Sequence, residues 1–367
     1  MPTLQKIVVQ DFRNIALQEV SFSPNVNCIC GGNGEGKTNL LDAVWYLSMT
    51  KSALSPSDRF VFRHGTDAFA LSGTYELQPD VPPVRISVRV ERSGEKKFRR
   101  DDKPYERISA HIGLIPVVMV SPADAAMVVD SGEERRRFVN AVLSQMDPAY
   151  LAAAQQYGRL LSQRNRLLKE SDADEGLLDV LDERLSALAL PLSAAREKFV
   201  SDLLPLVQKH YEAISGGAEQ VSIRYRSDLQ RGSLLDQLRA GRERDRLLRF
   251  TGAGLQRDDF LFEMEDHSIR RCGSQGQQKS FLVALKFAQY ELMRRSSGVA
   301  PILLLDDLFD KLDLKRVENL LSMVSGTDFG QIFLTDTDPA RLRGTVDALT
   351  RDRAYFKAEG GAFRSDD

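Results

Sequence analysis

Cysteine, histidine and long apolar runs are scarce in this sequence. Its 367 residues include three cysteines and four histidines. Three cysteines cannot form the paired framework of a disulfide-rich secreted protein, and so few histidines leave little material for a Cys/His metal site. No apolar run approaches the roughly 18 residues that a membrane-spanning helix requires, and the first residues lack a charged-then-apolar signal pattern. We therefore expect a soluble, cytoplasmic protein that makes no contact with a membrane.

Excess charge of either sign is also missing. Lys and Arg total 50 and Asp and Glu total 52, which gives a net charge of −2. A nucleic-acid-binding surface must therefore be a local patch, because net charge does not indicate one. The length allows two or three domains and a sizeable core.

A glycine-rich stretch at residues 31–38, GGNGEGKT, fits the pattern G-x-x-x-x-G-K-[ST]. An apolar run at 26–30 predicts a strand before it, and helical spacing at 39–47 predicts a helix after it. In that context glycines let backbone N–H groups surround phosphates, Lys37 reaches the β- and γ-phosphates of ATP, and the Thr38 hydroxyl faces Mg²⁺. The predicted nucleotide ligands from this stretch are Gly31, Gly32, Asn33, Gly34, Glu35, Gly36, Lys37, Thr38 and Asn39.

A second motif begins with the apolar run at 302–305, which predicts a strand of a parallel sheet. It delivers two carboxylates to the end of that strand. Asp306 is the predicted Mg²⁺ ligand together with Thr38. Asp307 is the predicted general base, and Lys37 and Ser274 complete the predicted catalytic set.

Small and polar residues at 272–279, CGSQGQQK, precede a predicted helix over 277–293. Ser274 is the predicted helix N-cap, which makes its hydroxyl and the following N–H groups an anion site. This motif resembles the signature of ABC ATPases, which closes over a γ-phosphate held by another subunit. The resemblance implies nucleotide contacts by Ser274, Gly276 and Gln277, a D-loop at 310–313 and a switch at 335–337.

Alternating and apolar runs predict further strands at 4–9, 20–22, 69–77, 84–90, 115–120, 221–225 and 332–334. The runs at 20–22 and 26–30 are expected to continue one sheet. Helices are predicted at 133–146, at 148–168 with Asp147 as N-cap and Pro148 in the first position, and at 175–214, kinked or broken at Pro191 and Pro205. The last two form a hairpin with arms of about 20 residues, each roughly 30 Å long.

Two basic segments leave alternatives open. Residues 95–103 are either a solvated hairpin tip or a loop that faces DNA. Residues 234–249 are predicted as one helix whose arginines either lie on a solvated face or contact phosphates. The arginines in question are Arg239, Arg242, Arg244, Arg246 and Arg249.

Taken together, the motifs resemble the RecF family of bacterial DNA-repair mediators over nearly the whole chain. The residues that carry the resemblance are 12–14 (FRN), 31–41, 121–124, 135–138 (RRRF), 164–169, 257–259 (RDD), 274–278 and 305–307. It implies an ATP-dependent homodimer with weak ATPase activity that binds single-stranded and gapped or junction DNA. RecO and RecR are the implied partners, RecA an indirect one, and Arg13 a further nucleotide ligand. Asp42 stands where the family usually has Glu.

The predicted fold class is α/β: an ABC-type ATPase head with mixed sheets and helices, interrupted by a helical second lobe. The first lobe is expected to combine residues 1–120 and 299–367, and the second to hold 121–298. An ATPase subunit of a transporter and one of a nuclease complex remain as alternative functions.

Replacing Lys37 tests the glycine-rich motif. Lys37→Ala should abolish or severely weaken nucleotide-dependent behaviour with the fold intact, because the ammonium supplies much of the attraction to the triphosphate. Binding of a fluorescent ATP analogue measures the loss, and circular dichroism checks folding. A mutant that hydrolyses ATP and dimerises like the wild type would contradict the assignment.

Overall fold

The computed structural model describes residues 1–130, 132–170, 174–217, 219–307, 329–348 and 350–366. The predicted D-loop at 310–313 lies outside these residues. The chain divides into two compact units, one of Met1–Asp124, Ala213–Gly216 and Leu282–Asp367, the other of Ala125–Glu212 and Gly217–Phe281. The last division falls after Phe281, inside a continuous helix, and not at the predicted 298.

The secondary structure confirms a mixed α/β architecture. The described strands are β1 (Thr3–Phe12), β2 (Ile15–Ser21), β3 (Val26–Cys30), β4 (Ala68–Glu76), β5 (Val84–Glu91), β6 (Lys96–Arg100), β7 (Lys103–Pro104), β8 (Val117–Val120), β9 (Val221–Arg226), β10 (Asp259–Met264), β11 (His267–Ser268), β12 (Ile302–Leu305), β13 (Ile332–Asp336), β14 (Arg353–Glu359) and β15 (Ala362–Ser365). The described helices are α1 (Lys37–Met49), α2 (Ala126–Val129), α3 (Gly132–Met146), α4 (Pro148–Leu167), α5 (Glu175–Ser215), α6 (Leu234–Ala240), α7 (Arg242–Leu248), α8 (Ile269–Cys272), α9 (Gln275–Ser297) and α10 (Pro339–Val346). Short 3₁₀ turns lie at Asp58–Phe60, Ile108–His111, Pro122–Ala125, Asp228–Arg231 and Leu255–Arg257.

The first unit contains an antiparallel sheet in the order β2-β1-β4-β5-β6-β7. Its strands alternate between buried and exposed residues, which is the pattern of a sheet with one solvated face. On the buried face, Tyr46 of α1 meets Phe12 and Phe69 edge to face, with ring centroids 6.1 and 5.5 Å away. The predicted pairing of 69–77 with 84–90 is confirmed by β4 and β5.

The second sheet of this unit has the order β15-β14-β3-β13-β12-β8, and every neighbouring pair except β14 and β15 is parallel. All residues of β3, β12 and β13 are buried, as expected for parallel strands covered on both faces. The expectation that 20–22 and 26–30 continue one sheet is wrong. β3 is buried on both faces and pairs with β13 and β14, whereas β2 pairs with β1 at an edge of the antiparallel sheet.

The second unit is mainly helical, with a small sheet in the order β11-β10-β9. The predicted cap of α4 is confirmed, since the Asp147 side chain accepts from the Ala149 N–H and Pro148 is the first helical residue. α5 is one helix of 41 residues that includes Pro191 and Pro205, so the predicted second arm of about 20 residues is too short. Each proline removes one N–H donor, and buried apolar residues between the two prolines, such as Leu192 and Leu203, hold the helix in place.

The predicted helix over 234–249 is divided into α6 and α7 at Gly241, which has φ −87° and ψ 0°. Three arginines of this segment, Arg239, Arg242 and Arg246, bind acidic residues of α5. Arg242 lies 2.8 Å from Glu175, 2.7 Å from Asp179 and 2.8 Å from Asp182, and its side chain is 15% exposed. Its charge is therefore compensated within the unit, which supports neither the solvated-face nor the phosphate interpretation at this position.

A buried ion cluster surrounds Arg164 of α4. The side chain is completely buried and binds Asp182 of α5 at 2.5 Å and Asp245 of α7 at 2.7 Å. It also donates to the Thr251 hydroxyl at 3.0 Å. Since charges are costly to bury singly, these contacts make Arg164 the residue on which the packing of α4, α5 and α7 depends.

Removing this cation should destabilise the second unit. Arg164→Met should lower the free energy of unfolding by about 3–5 kcal/mol, because two buried carboxylates lose their shared partner. Arg159→Met, on the exposed side of the same helix, is the matched control and should change it little. Urea denaturation measures both, and equal midpoints would show that the cluster adds no stability.

Candidate nucleotide-binding site

The loop between β3 and α1 owes its shape to its glycines. Gly34 has φ 85° and Gly36, at the N-cap of α1, has φ 104°, both in the left-handed region that glycine favours. A β-carbon on Gly36 would lie 2.8 Å from Asn14 Oδ1, and one on Gly31 would lie 2.5 Å from the Ala358 carbonyl oxygen. The loop is thus open to a ligand but closed to side chains at both positions.

The turn between β14 and β15 supports this loop. The Gly361 N–H donates to the Glu35 carbonyl at 2.9 Å, and the Gly360 N–H donates to the Glu35 carboxylate. Asn39 donates to Asn14 Oδ1 at 2.8 Å. Glu35, a predicted nucleotide ligand, therefore directs its side chain to the supporting turn.

The two predicted motifs meet at the ends of the parallel strands. The Thr38 hydroxyl donates to the Asp306 carboxylate, with oxygen separations of 3.0 and 2.8 Å. Lys37 Nζ donates to the carbonyl oxygens of Gly31 and Gly32, at 2.7 and 2.9 Å. The ammonium group is therefore held over the loop that the pattern predicts as the phosphate cradle.

Thr335, near the end of β13, connects the two aspartates. Its hydroxyl donates to Asp306 Oδ1 at 2.7 Å and accepts from the Asp307 N–H at 2.9 Å. Asp307 has φ 46°, a conformation uncommon outside glycine. Sequence reasoning placed Thr335 only in a switch region and missed this role. The sequence signal for this role was a polar residue near the end of β13, the strand next to β12.

The donor set suits a magnesium ion and a triphosphate. A cavity of about 170 Å³ is lined by Asn33, Gly34, Gly36, Lys37, Thr38, Asn39, Pro122, Asp306 and Asp307. Hydroxyl and carboxylate oxygens are the ligands that Mg²⁺ prefers. Burial raises the pKa of Asp306 above its ordinary value, against the hydrogen bonds from Thr335 and Thr38. A nearby cation would favour the charged form of this carboxylate.

Four predicted nucleotide ligands of the first unit, Gly31, Gly32, Glu35 and Arg13, do not line the cavity. The Arg13 guanidinium binds Asp42 at 2.8 Å and donates to the hydroxyls of Ser52 and Ser55, each at 3.0 Å. Asp42 is completely buried in α1 and also accepts from Ser52 at 2.8 Å. In this structure Arg13 connects β1 to α1, which is a packing role.

The predicted signature lies in the second unit, at the start of α9. Ser274 is exposed and its hydroxyl accepts from the Gln277 N–H at 3.2 Å, while the Gln277 side chain accepts from the Ser274 N–H at 2.7 Å. This reciprocal capping box confirms the predicted N-cap. Gln277 also donates to Glu219 at 2.7 Å. The N–H groups of Gln275 and Gly276, in the first turn of the helix, remain available to an anion.

Two kinds of feature are absent from the described residues. No helix in the ranges given above has the length and apolar character needed to cross a membrane. Nor do those residues contain a group of three or more His, Cys, Asp or Glu side chains placed to hold a metal ion.

Comparison with known proteins agrees with this geometry. Residues 3–349 match the family model described as RecF/RecN/SMC N terminal domain. The chain is 42% identical to the DNA replication and repair protein RecF of Parabacteroides distasonis over 358 residues, which is 98% of each chain. It is 38% identical to RecF of Flavobacterium johnsoniae, over 94% of this chain and 96% of the other.

Solved structures give the same result. A structure described as the recombination mediator protein RecF-ATP in the RecFOR pathway superposes with a TM-score of 0.89 at 27% identity, covering 99% of this chain and 97% of that one. The Smc head domain of Pyrococcus furiosus superposes with a TM-score of 0.59 at 14% identity over 100% of this chain and 96% of that one, which shows a shared fold. The predicted ABC-type ATPase head is thereby confirmed.

The Thr335 hydroxyl can be tested by an isosteric change. Thr335→Val should weaken Mg²⁺-dependent nucleotide binding about 10–100-fold, because Asp306 loses a donor that orients it. Thr335→Ser keeps the hydroxyl and should behave almost like the wild type. The measurement is a Mg²⁺ titration of binding of a fluorescent ATP analogue. An unchanged Mg²⁺ requirement in the valine variant would show that Thr335 does not position the carboxylate.

Proposed function

This chain belongs to the RecF family, and from that premise we propose that it is an ATP-dependent DNA-binding protein of DNA replication and repair. ATP binding closes two copies into a dimer, and hydrolysis releases them. The observation that carries the proposal is the junction of Lys37, Thr38, Asp306 and Asp307 around one cavity at the ends of parallel strands. Such a junction is what a nucleoside triphosphatase needs.

Each residue of the junction has a distinct task. Backbone N–H groups of 33–39 and the Lys37 ammonium bind the phosphates. Thr38 and Asp306 would hold Mg²⁺, which would supply positive charge to the triphosphate. Asp307 takes the proton of the attacking water as general base. Thr335 fixes the backbone of Asp307 and the carboxylate of Asp306. From the family resemblance we expect slow turnover, suited to a switch.

The second half of each active site comes from the partner chain. Ser274 is exposed, and its helix offers a positive dipole end to an anion. Each chain then has two half-sites, a phosphate loop and a signature, and ATP joins two copies by an isologous interface with two nucleotides. Ser274, Gly276 and Gln277 are the proposed contacts to the γ-phosphate held by the partner.

DNA and other recombination proteins are the proposed partners. Single-stranded and gapped or junction DNA is the proposed substrate, with RecO and RecR as direct partners, assistance to RecA as the outcome, and the cytoplasm as the location. The support is the membership of the family together with the solved relative described as a recombination mediator in the RecFOR pathway.

Mixing two inactive variants tests the shared active site. Ser274→Arg should leave ATP binding by the monomer nearly unchanged and block dimerisation and hydrolysis together, because the bulky side chain lies at the closing surface. Lys37→Ala should lose ATP binding. A mixture should regain hydrolysis, because each mixed dimer has one site with an intact loop and an intact signature.

The measurement is phosphate release by each variant alone and by the mixture, at the same total protein concentration. A Ser274→Arg protein that hydrolyses ATP at the wild-type rate would reduce the signature to an ordinary helix cap. A mixture that remains inactive, although both variants fold, would equally contradict the shared site.

A further inference from the structure

The solvated face of the antiparallel sheet carries a group of cations that the nucleotide site does not use. We define the basic face as Arg85 and Arg89 of β5 and Lys97 and Arg99 of β6, all exposed. Along β5 these residues alternate with the buried Val84, Ile86, Val88 and Val90. The four cations therefore point to the same side of two neighbouring strands.

Strand register brings like charges together. Arg89 is directly opposite Lys97, and Arg99 is opposite Ser87, which lies between Arg85 and Arg89. At the edge, Arg100 is opposite Lys103. Like charges directly opposite one another destabilise a sheet. The Arg89/Lys97 pair between β5 and β6 lies on the basic face, and the Arg100/Lys103 pair lies between β6 and β7. Two such pairs in three neighbouring strands indicate that something other than stability retains them.

Positive charge is concentrated here although the chain as a whole is slightly acidic. Residues 84–104 contain eight Lys or Arg and four Asp or Glu, against a net charge of −2 for all 367 residues. One of those acids is occupied, because Asp101 Oδ1 accepts from the Arg85 N–H at 2.8 Å. Glu91 lies 3.4 Å from Arg89 and Glu95 lies 2.9 Å from Lys97, with all four side chains well exposed. Such exposed pairs contribute little.

Protection of the sheet edge explains only part of this pattern. Lysine and proline on an edge strand prevent pairing with other chains, and Lys103 and Pro104 of β7 fit that role. β5, however, lies inside the sheet, between β4 and β6. Arg85 and Arg89 cannot protect an edge that their strand does not have.

Lys96 belongs to the same basic segment but, unlike the four residues of the basic face, does not point to solvent. Its ammonium lies 3.0 Å from Asp58 and 4.6 Å from the centre of the Tyr46 ring, so it packs against the first unit. Burial lowers its pKa. The segment thus separates into one internal cation and a set that faces solvent. Residues 96–100 form a strand, not the loop or hairpin tip that the sequence suggested.

We propose that the basic face binds the phosphate backbone of double-stranded nucleic acid. Guanidinium groups match phosphate geometry, and Ser72 and Ser87 are short hydroxyl residues that allow close approach between them. The solvated face of β4, β5 and β6 carries no aromatic side chain. Single-strand binding relies on aromatic stacking, and membrane binding on exposed apolar groups, so a duplex held by its phosphates fits this surface best. This assignment rests on the proposed DNA-binding function and specifies the surface that performs it.

The test removes two opposed cations. Arg89→Gln/Lys97→Gln should weaken binding to a blunt mixed-sequence DNA duplex of about 30 base pairs and flatten the log–log salt dependence by about 1.8, since each phosphate contact contributes about 0.9. The control Lys198→Gln/Arg231→Gln removes the same charge from side chains that are 75% and 76% exposed. It should leave the slope unchanged.

Two further measurements distinguish a loss of DNA contacts from a loss of stability or of nucleotide binding. The melting temperature of Arg89→Gln/Lys97→Gln should equal or exceed that of the wild type, because a like-charge pair is lost. Binding of a fluorescent ATP analogue should not change, so a failure at this face is distinguishable from a failure of the nucleotide site. A single strand of the same length and vesicles with anionic lipid are the comparison ligands.

If the wild type binds the duplex and Arg89→Gln/Lys97→Gln shows the same salt dependence, the assignment of the face alone is overturned. A wild-type protein that binds no DNA, with or without ATP and Mg²⁺, would overturn both the face and the proposed DNA-binding function. Binding to anionic vesicles but not to the duplex would identify the face as a membrane surface and would also overturn the proposal.

Discussion

The hydrogen bonds of Asp306 hold the candidate site together. This carboxylate is 3% exposed and receives the hydroxyls of Thr38 and Thr335, so one buried group joins α1, β12 and β13. A charge in such surroundings is costly unless it is paired or bound to a metal ion, and burial raises the pKa of Asp306 accordingly. The parallel sheet supplies the geometry, since neighbouring strands deliver their last residues to a common edge. The placement of Lys37, Asp307 and the phosphate loop follows from this arrangement.

Local chemistry made much of this site predictable. The glycines of 31–36, the aspartates after β12 and the cap at Ser274 each depend on the conformation of a few consecutive residues, which sequence patterns specify directly. Thr335 could not be assigned in that way, because its partners come from β12, and strand neighbours in a parallel sheet are far apart in the chain. The same reason explains the error over β2 and β3. α6 and α7 were predicted as one helix because an isolated glycine is a weak signal of a helix end.

Charged residues show the limits of sequence reasoning most clearly. The arginines of 239–249 left a phosphate-binding face open as an interpretation, yet Arg242 is bound to three carboxylates of α5. Arg135 and Arg164, which belong to segments that carry the family resemblance, likewise bind Asp259 and Asp182 within the second unit. A sequence shows how many cations a segment has. The fold decides which of them are buried against carboxylates, as Arg164 and Arg242 are, and which face solvent, as the four cations of the basic face do.

Sedimentation velocity tests the central claim, that ATP closes two chains into one functional unit. The protein is compared without nucleotide, with ADP and Mg²⁺, and with ATP and Mg²⁺, each alone and with gapped DNA. The account predicts a monomer in the first two conditions and a dimer in the third, with DNA bound to the dimer. Sedimentation as a monomer at ATP concentrations that saturate the site, as judged by binding of a fluorescent analogue, would contradict it.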